Sequence, residues 1–238
     1  MHRFRAAIGV VVIVSAMACS KEAPTAATTE PAATAETAAP AARTTPIEPV
    51  KGTLPRIVFL GDSLTAGYGL NVEQAVPALV QQHLDAEHYR YDVVNAGVSG
   101  DTSAGGLRRL EWSLDGDVRI LEVELGANDG LRGLPVTGMK ANLKTIIRTA
   151  KSRGVDVLLT GMEAPPNYGP AYTSDFRRAF RDLAGEERVT FLPFYLEGVA
   201  GNPALNIADG MHPNPAGARI VEANVWKALG PMLARQAR

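Results

Sequence analysis

Arg-Ile-Val-Phe-Leu-Gly-Asp-Ser-Leu, at residues 56–64, joins an almost continuous apolar run to a short polar turn. An unbroken run of Val, Ile, Leu and Phe is typical of a strand that a parallel sheet buries on both faces. The stretch at 56–64 therefore predicts the first strand of such a sheet. Comparable runs, which predict four more strands, follow at 91–95, 119–125, 155–160 and 189–192.

Longer amphipathic patterns lie between these runs and after the last one, and they predict helices at 73–86, 104–114, 137–153, 173–184 and 215–236. We expect Pro77 either to break the first helix or to lie within its early turns. Right-handed crossovers turn this alternating order into a doubly wound sheet. The predicted fold class is therefore α/β, a flavodoxin-like three-layer α/β/α sandwich with a central parallel sheet of about five strands.

The composition narrows the chemistry that is open to this chain. A formal net charge of -1 over 238 residues, with no basic stripe, predicts no nucleic-acid partner. Cys19 is the only cysteine in the sequence, so an intramolecular disulfide, a cysteine-rich zinc site and a nucleophilic cysteine in the folded part are excluded. Catalytic or binding chemistry must come from Ser, His, Asp, Asn and backbone groups.

Residues 1–18 have the pattern of an export signal. Two arginines precede an apolar run at 6–14 that is too short to span a membrane, and Ala16-Met17-Ala18 offers small residues to a signal peptidase. Cys19 follows directly, at the position that bacterial lipoproteins modify with lipid. Two interpretations stay open: a plain Ala-x-Ala cleavage site, or a lipoprotein with Cys19 as its lipidation site. We expect an exported periplasmic protein, anchored to the outer membrane through Cys19, with a soluble periplasmic or secreted protein as the alternative.

Ala, Thr, Pro and Glu dominate the stretch that follows the signal. Residues 19–53 contain no aromatic side chain and cannot bury enough apolar surface to offset the entropy of ordering. We interpret 19–53 as a disordered tether and 54–238 as one folded domain.

Four loops after predicted strands carry polar groups, at the strand ends where such sheets bind ligands. Ser63 follows the first strand, Gly97 the second and Asn128 the third. Each of the three, taken alone, is better explained as an N-cap, a turn glycine or a turn former. Asp209 and His212 are three residues apart in a later loop, where a carboxylate can orient an imidazole. The other three histidines lie in the signal or near a predicted surface helix, so His212 is the candidate base.

Taken together and in this order, the four sites resemble the four sequence blocks of the SGNH hydrolases, also called the GDSL family. The resemblance extends from about Pro55 to the C-terminus. Further stretches at 99–103, 124–133 and 166–169 resemble one branch of that family, the bacterial periplasmic thioesterases, arylesterases and lysophospholipases. The blocks are Gly-Asp-Ser-Leu at 61–64, Gly97 within Asn-Ala-Gly, Gly-Ala-Asn-Asp at 126–129, and the segment from Asp209 to His212.

The resemblance implies a serine esterase that hydrolyses acyl esters or thioesters through an acyl-enzyme. Ser63 is then the nucleophile, His212 the base and Asp209 the residue that orients it. The oxyanion is held by the N–H groups of Ser63 and Gly97 and by the side-chain amide of Asn128. No metal and no organic cofactor is needed, and the partner is a small acyl ester or thioester.

Several neighbouring residues have predicted roles outside the catalytic set. We interpret Asp62, Asp101 and Asp129 as structural. The loop at 162–174, rich in Pro and Tyr, is either a lid over the acyl chain or a rigid surface turn. Candidate acyl-pocket residues are Leu70, Leu131 and Tyr168.

Three other functions remain possible from the sequence. A carbohydrate O-deacetylase would use the same catalytic residues. A non-catalytic binding module tethered to the envelope would have the same fold. A purely structural lipoprotein would make the complete set of catalytic residues a coincidence.

Overall fold

The computed structural model describes residues 54–236, which form one α/β domain. The expected signal at 1–18, the expected tether at 19–53 and the candidate lipidation site Cys19 lie outside the described residues. Within 54–236 no helix is both long and apolar enough to cross a membrane.

Five parallel strands form the central sheet, in the order β2-β1-β3-β4-β5. The predicted fold class is confirmed, and each predicted strand has its counterpart within a few residues. The order places β1 between β2 and β3, so the chain reverses its direction of winding beside β1, which is where open α/β sheets bind ligands. The strands are β1 (Arg56–Gly61), β2 (Asp92–Gly97), β3 (Val118–Glu124), β4 (Asp156–Thr160) and β5 (Thr190–Leu192).

Eight α-helices and two 3-10 turns lie within the described residues. The 3-10 turns are Val72–Gln74 and Pro166–Tyr168. The α-helices are α1 (Ser63–Ala66), α2 (Val76–Ala86), α3 (Ser103–Arg108), α4 (Leu110–Ser113), α5 (Ala127–Leu131), α6 (Val136–Ser152), α7 (Gly169–Glu187) and α8 (Pro215–Gln236).

The predicted helices agree with these elements except at 104–114, and Pro77 lies within the early turns of its helix, which is one of the two expected alternatives. Pro77 is the second residue of α2, where its missing N–H costs no helical hydrogen bond. The predicted helix at 104–114 is instead two short helices, α3 and α4, which meet at Arg109. Arg109 lies between the two helices with φ of -105° and ψ of 7°, and its side chain bonds to Asp101 and Gly61.

Helices cover the sheet in two layers. α2 packs on α8, while α6 packs on both α3 and α7. The core between these layers is aliphatic and aromatic, with Phe59, Leu121 and Phe176 among its fully buried members.

Burial on both faces, expected for every strand, holds for β1, β3 and β4 but not for the edge strands β2 and β5. The pattern along β2 is mostly half-buried or exposed, because β2 is an edge strand and pairs only with β1. A second difference lies in β3, where Glu122 and Glu124 are fully buried among apolar neighbours. An apolar core that holds two carboxyl groups is not predicted by the hydrophobic pattern.

The strand register brings the loops after three strands to one place. Gly61, the last residue of β1, pairs with Gly97 at the end of β2 and with Glu124 at the end of β3. Side chains that follow these three strands therefore meet at one edge of the sheet.

Candidate active site

Ser63 stands at the start of the short helix α1, directly after the turn that ends β1. The Asp62 side chain caps this helix, since its Oδ1 accepts a hydrogen bond from the Leu64 N–H at 3.0 Å. As the first helical residue, Ser63 has a backbone N–H without an intrahelical acceptor. The serine hydroxyl and this free N–H thus lie on the same residue, at the positive end of a helical turn.

A continuous chain of hydrogen bonds connects Ser63 to a histidine and a carboxylate. His212 Nε2 lies 2.8 Å from Ser63 Oγ, and His212 Nδ1 lies 2.6 Å from Asp209 Oδ2. With Nδ1–H donating to the carboxylate, Nε2 is the nitrogen that accepts the serine proton. The three residues that the sequence singled out are therefore brought within direct contact.

The loop that carries Asp209 and His212 is held by its own backbone. Asp209 Oδ1 accepts from the N–H groups of Met211 at 2.9 Å and His212 at 3.1 Å, and Gly210 supplies the left-handed turn between them with φ of 73°. These two N–H bonds, together with the bond from the His212 side chain, lower the pKa of Asp209 to about 2. Asp209 is therefore an anion wherever His212 needs a counter-charge.

Asn128 enters the site from the start of α5. Its Nδ2 donates to Asp62 Oδ2 at 2.9 Å, which leaves the second hydrogen of the same amide unused by that bond. Burial raises the pKa of Asp62, and the hydrogen bonds from Leu64 and Asn128 oppose that effect. The structural role expected for Asp62 thus includes orienting Asn128.

The N–H of Gly97 has an acceptor within the domain, because it donates to Asn95 Oδ1 at 3.0 Å at the end of β2. A Cβ at this position would lie 2.2 Å from Ala66 N, so a glycine is required because β2 ends against the backbone of α1. Packing therefore explains the glycine at this position, and its role as an oxyanion donor stays a prediction.

Gly100, three residues further on, was missed by the sequence analysis. It has φ of 84°, and its N–H has no acceptor within residues 54–236. The Val98 N–H bonds to Gly61 O at 3.0 Å, and Arg132 donates to Gly100 O at 2.9 Å. This turn therefore lies between the end of β1 and the helix of Asn128. The Ser-Gly-Asp sequence at 99–101, typical of a glycine turn, was the available signal.

The structure separates the three candidate acyl-pocket residues. Leu70 lines a small cleft beside Ser63 and His212, where the exposed ring of Tyr68 also contacts the imidazole with ring centroids 4.7 Å apart. Leu131 and Tyr168 are not among the residues that line this cleft, and the Tyr168 hydroxyl donates to Leu131 O at 2.9 Å; their role in acyl binding stays a prediction.

The loop at 162–174 fits the rigid-turn alternative better than a lid. Its second half is the first turns of α7, which begins at Gly169. Tyr172 donates to Leu134 O at 2.8 Å and thereby anchors the segment to the loop between α5 and α6. A segment held by helical and side-chain bonds has little freedom to open as a lid.

Buried polar groups form hydrogen bonds that hold the loops of the site in place. Asp129 accepts from the N–H and the hydroxyl of Ser103, both at 2.7 Å, in agreement with its expected structural role. Glu124 Oε2 accepts from the Asp62 N–H at 3.2 Å and the Thr65 hydroxyl at 2.9 Å, which ties β3 to the turn of Ser63. Burial, together with the nearby carboxyl groups of Asp62 and Glu122, raises the pKa of Glu124 well above its ordinary value.

A doubly wound sheet with a Ser–His–Asp chain at its ligand-binding edge defines the class of SGNH hydrolases, which act on ester bonds. The chain matches the GDSL-like lipase/acylhydrolase family over residues 59–220 and belongs to that family. The resemblance found in the sequence is therefore confirmed.

Two named proteins and one solved structure are examples of what this chain is similar to. The chain is 43% identical over 178 residues to the esterase TesA of Pseudomonas aeruginosa, covering 74% of this chain and 89% of that protein. It is 38% identical over 178 residues to the thioesterase 1/protease 1/lysophospholipase L1 of Escherichia coli K12, covering 74% and 84%. The crystal structure of the psychrotrophic esterase EstA from a Pseudoalteromonas species, inhibited by monoethylphosphonate, matches with a TM-score of 0.72 at 34% identity, covering 75% and 98%.

Proposed function

We propose that the protein hydrolyses acyl esters and thioesters with Ser63 as nucleophile, His212 as base and Asp209 as the residue that orients His212. The observation that carries this proposal is the unbroken hydrogen-bond chain from Asp209 Oδ2 through the imidazole to Ser63 Oγ, with links of 2.6 and 2.8 Å. A nucleophile within bonding distance of a base that is itself held by a carboxylate is the arrangement that activates a hydroxyl.

The reaction proceeds in two halves. Ser63 Oγ attacks the acyl carbon while His212 Nε2 takes the hydroxyl proton, and that proton then passes to the departing alcohol, phenol or thiol. The acyl group remains on Ser63. Water attacks it with one proton going to Nε2, and that proton returns to Ser63 Oγ as the carboxylic acid leaves and then ionises in solution. Asp209, ionised throughout, stabilises the imidazolium that forms in both halves.

The developing oxyanion is stabilised by the free N–H of Ser63 and the unused amide hydrogen of Asn128. For the third donor we propose Gly100 in preference to Gly97, because the Gly97 N–H already donates to Asn95 while the Gly100 N–H has no acceptor within residues 54–236. Preorganised N–H donors of this kind each contribute about 10²–10³ in rate.

The substrate class follows from the relatives and from the cleft. The two curated relatives have names that describe an esterase and a thioesterase that is also a lysophospholipase. Leu70 and Tyr68 give the cleft beside Ser63 an apolar wall, which suits an aryl or alkyl acyl group better than a sugar. A carbohydrate O-deacetylase remains the second candidate. That function requires the cleft beside Ser63 to hold no acyl group larger than acetyl.

The test is hydrolysis of p-nitrophenyl esters of increasing acyl length by the wild type and Ser63→Ala, with Ser152→Ala as the matched control. Ser152 is an exposed serine of α6 that donates only to Thr149 O. We expect Ser63→Ala to lose activity and Ser152→Ala to keep it. We expect the wild type to hydrolyse esters with acyl chains longer than acetate. A fluorophosphonate probe should label the wild type and not Ser63→Ala. A folded wild type that neither hydrolyses any ester nor takes the label is a binding module. Activity confined to the p-nitrophenyl acetate, with hydrolysis of acetylated polysaccharide in a parallel assay, indicates a deacetylase.

We also propose that the chain is exported and anchored through Cys19, on the sequence pattern at 1–19 alone. Labelling of cells with an alkyne fatty acid should mark the wild type and leave Cys19→Ala unmarked. Absence of label on the wild type, under conditions that label a known lipoprotein, would contradict the anchor and leave the hydrolase unaffected.

A further inference from the structure

Arg109, at the junction of α3 and α4, directs its side chain toward the strand ends beneath the active site. The side chain is only 18% exposed, and all three of its donor groups are used. Nε donates to Asp101 Oδ2 at 2.7 Å, Nη2 donates to Gly61 O at 2.7 Å, and Nη1 donates to Ala96 O. One guanidinium thus bridges three separate segments.

Two of the three acceptors, Gly61 and Asp101, lie beside a segment that the proposed reaction uses, and the third lies at the end of β2, which leads into the turn of Gly100. Gly61 is the last residue of β1 and is followed by Asp62 and Ser63. The Ala96 carbonyl belongs to the peptide unit that ends in the Gly97 N–H, on the neighbouring strand. Asp101 directly follows Gly100. Arg109 is therefore bonded to the nucleophile turn on one side and to the glycine turn on the other.

The geometry requires a guanidinium specifically. A planar fork with fixed donor directions can hold two carbonyls and a carboxylate at once, whereas the ammonium of lysine is a compact point donor. The bonds are charge-assisted and only slightly exposed to solvent, so they are stronger than ordinary surface contacts. The two bonds to carbonyl groups also hold β1 and β2 together where their pairing ends, at Gly61 and Gly97.

We propose that Arg109 is a positioning residue for ester hydrolysis, which holds the turn of Ser63 and the turn of Gly100 in register so that nucleophile and oxyanion donors converge on one carbonyl. This inference rests on the proposed function. Arg109 touches neither substrate nor the reacting atoms, and it acts through Gly61, Ala96 and Asp101. A small displacement between the two turns weakens attack and oxyanion stabilisation together, and both belong to the transition state.

The experiment compares Arg109→Lys with Arg148→Lys as a matched control, both in the full chain. Arg148 also pairs with a carboxylate, that of Glu187, but lies on α6 away from the site. We expect Arg109→Lys to lower kcat about 100-fold with KM within about twofold, since the loss falls on the transition state. The rate of labelling by a fluorophosphonate should fall in parallel. Arg148→Lys should leave all three values unchanged.

Two results would overturn the proposal. The first is wild-type kcat and labelling rate in a folded Arg109→Lys. If Arg109→Lys does not fold, Asp101→Asn decides, because it weakens one of the three bonds and keeps the arginine. A fall in kcat of about tenfold at unchanged KM supports the proposal, and wild-type kcat overturns it. An inactive wild type, or activity that survives Ser63→Ala, contradicts the proposed function itself and is distinguishable from both results.

Discussion

The side-chain amide of Asn128 donates to the carboxylate of Asp62 across 2.9 Å and so joins the loop after β3 to the turn before Ser63. The other oxygen of the same carboxylate caps α1 through the Leu64 N–H. Because a carboxylate only accepts, it determines which end of the Asn128 amide faces it. The contact thereby leaves an N–H, and not a carbonyl oxygen, for the oxyanion.

Asp62→Asn should therefore reduce activity while preserving shape. The new side chain can keep its oxygen on the Leu64 N–H, which places an NH₂ against the NH₂ of Asn128. Asn128 must then rotate and present its oxygen to the oxyanion. We expect kcat to fall by about 10²-fold, the effect of losing one oxyanion donor. The measurement is steady-state hydrolysis with thermal unfolding as the fold check.

Asp175→Asn is the control for that variant, since Asp175 lies on the exposed face of α7 and pairs only with Arg178. It should retain wild-type kcat. A folded Asp62→Asn with unchanged kcat would show that the orientation of Asn128 is set by something other than Asp62.

Alanine at Gly97 and at Gly100 should have different consequences. At Gly97 a Cβ would lie 2.2 Å from Ala66 N, so backbone must move and we expect a large fall in melting temperature. At Gly100 the nearest atom is 3.9 Å away, and the cost is the strain of φ near 84°, about 1–2 kcal/mol. Gly100→Ala should stay folded but lose kcat, because relief of strain turns its N–H away.

Gly138→Ala provides the reference, because Gly138 lies within α6 with open space around it. A helical glycine replaced by alanine should stabilise the fold by about 0.5–1 kcal/mol without changing kcat. Unchanged kcat in Gly100→Ala would count against Gly100 as an oxyanion donor.

Leu70 should influence which acyl chains are accepted, whereas Leu131 should not. Leu70 lines the cleft at Ser63, so Leu70→Ala removes apolar contact from an acyl chain bound there. We expect kcat/KM for longer esters to fall about tenfold, with acetate nearly unaffected, since each methylene contributes only a small discrimination. Leu131→Ala is the comparison, as Leu131 is exposed and outside the cleft. A larger change of the chain-length profile in Leu131→Ala would place the acyl chain on the other side of Ser63.

The buried Glu122 should make stability fall with rising pH. Its carboxyl oxygens have no partner within residues 54–236, and burial raises its pKa well above 4.5. Between pH 4.5 and the higher folded pKa, the folded state holds a proton that the unfolded state has released. The free energy of unfolding therefore falls through that window as pH rises.

Glu122→Gln removes this titration because glutamine is neutral at every pH. In urea unfolding, the free energy of unfolding of Glu122→Gln should rise relative to that of the wild type by up to about 1.4 kcal/mol per pH unit, as the pH rises from 4.5 toward the folded pKa of Glu122. Glu73→Gln, at an exposed position, should follow the wild type at every pH. Parallel curves for Glu122→Gln and the wild type would show that Glu122 is already ionised in the fold.

Local pattern explains why most of the fold could be predicted. Strands with uninterrupted apolar side chains and helices with apolar residues at helical spacing are encoded within each segment, and α8 was predicted at its observed limits, Pro215–Gln236. Two expectations were wrong, one about burial and one about a helix. β2 is a strand, as predicted, but is not buried on both faces because it lies at the sheet edge, and the predicted helix at 104–114 is divided at Arg109.

The sequence by itself determined the α/β class, the family and the four loops from which a site could be built, since each depends on residue types at fixed local spacing. Tertiary structure alone decided which groups in those loops meet. Ser63 and His212 are 149 residues apart in the chain, and their 2.8 Å contact exists because folding brings the loop before α8 against the turn that follows β1. The sequence likewise shows two glycines in one loop but not which N–H is in use. In the folded chain the Gly97 N–H donates to Asn95 and the Gly100 N–H has no acceptor within residues 54–236, because hydrogen bonding depends on where folding places donor and acceptor atoms.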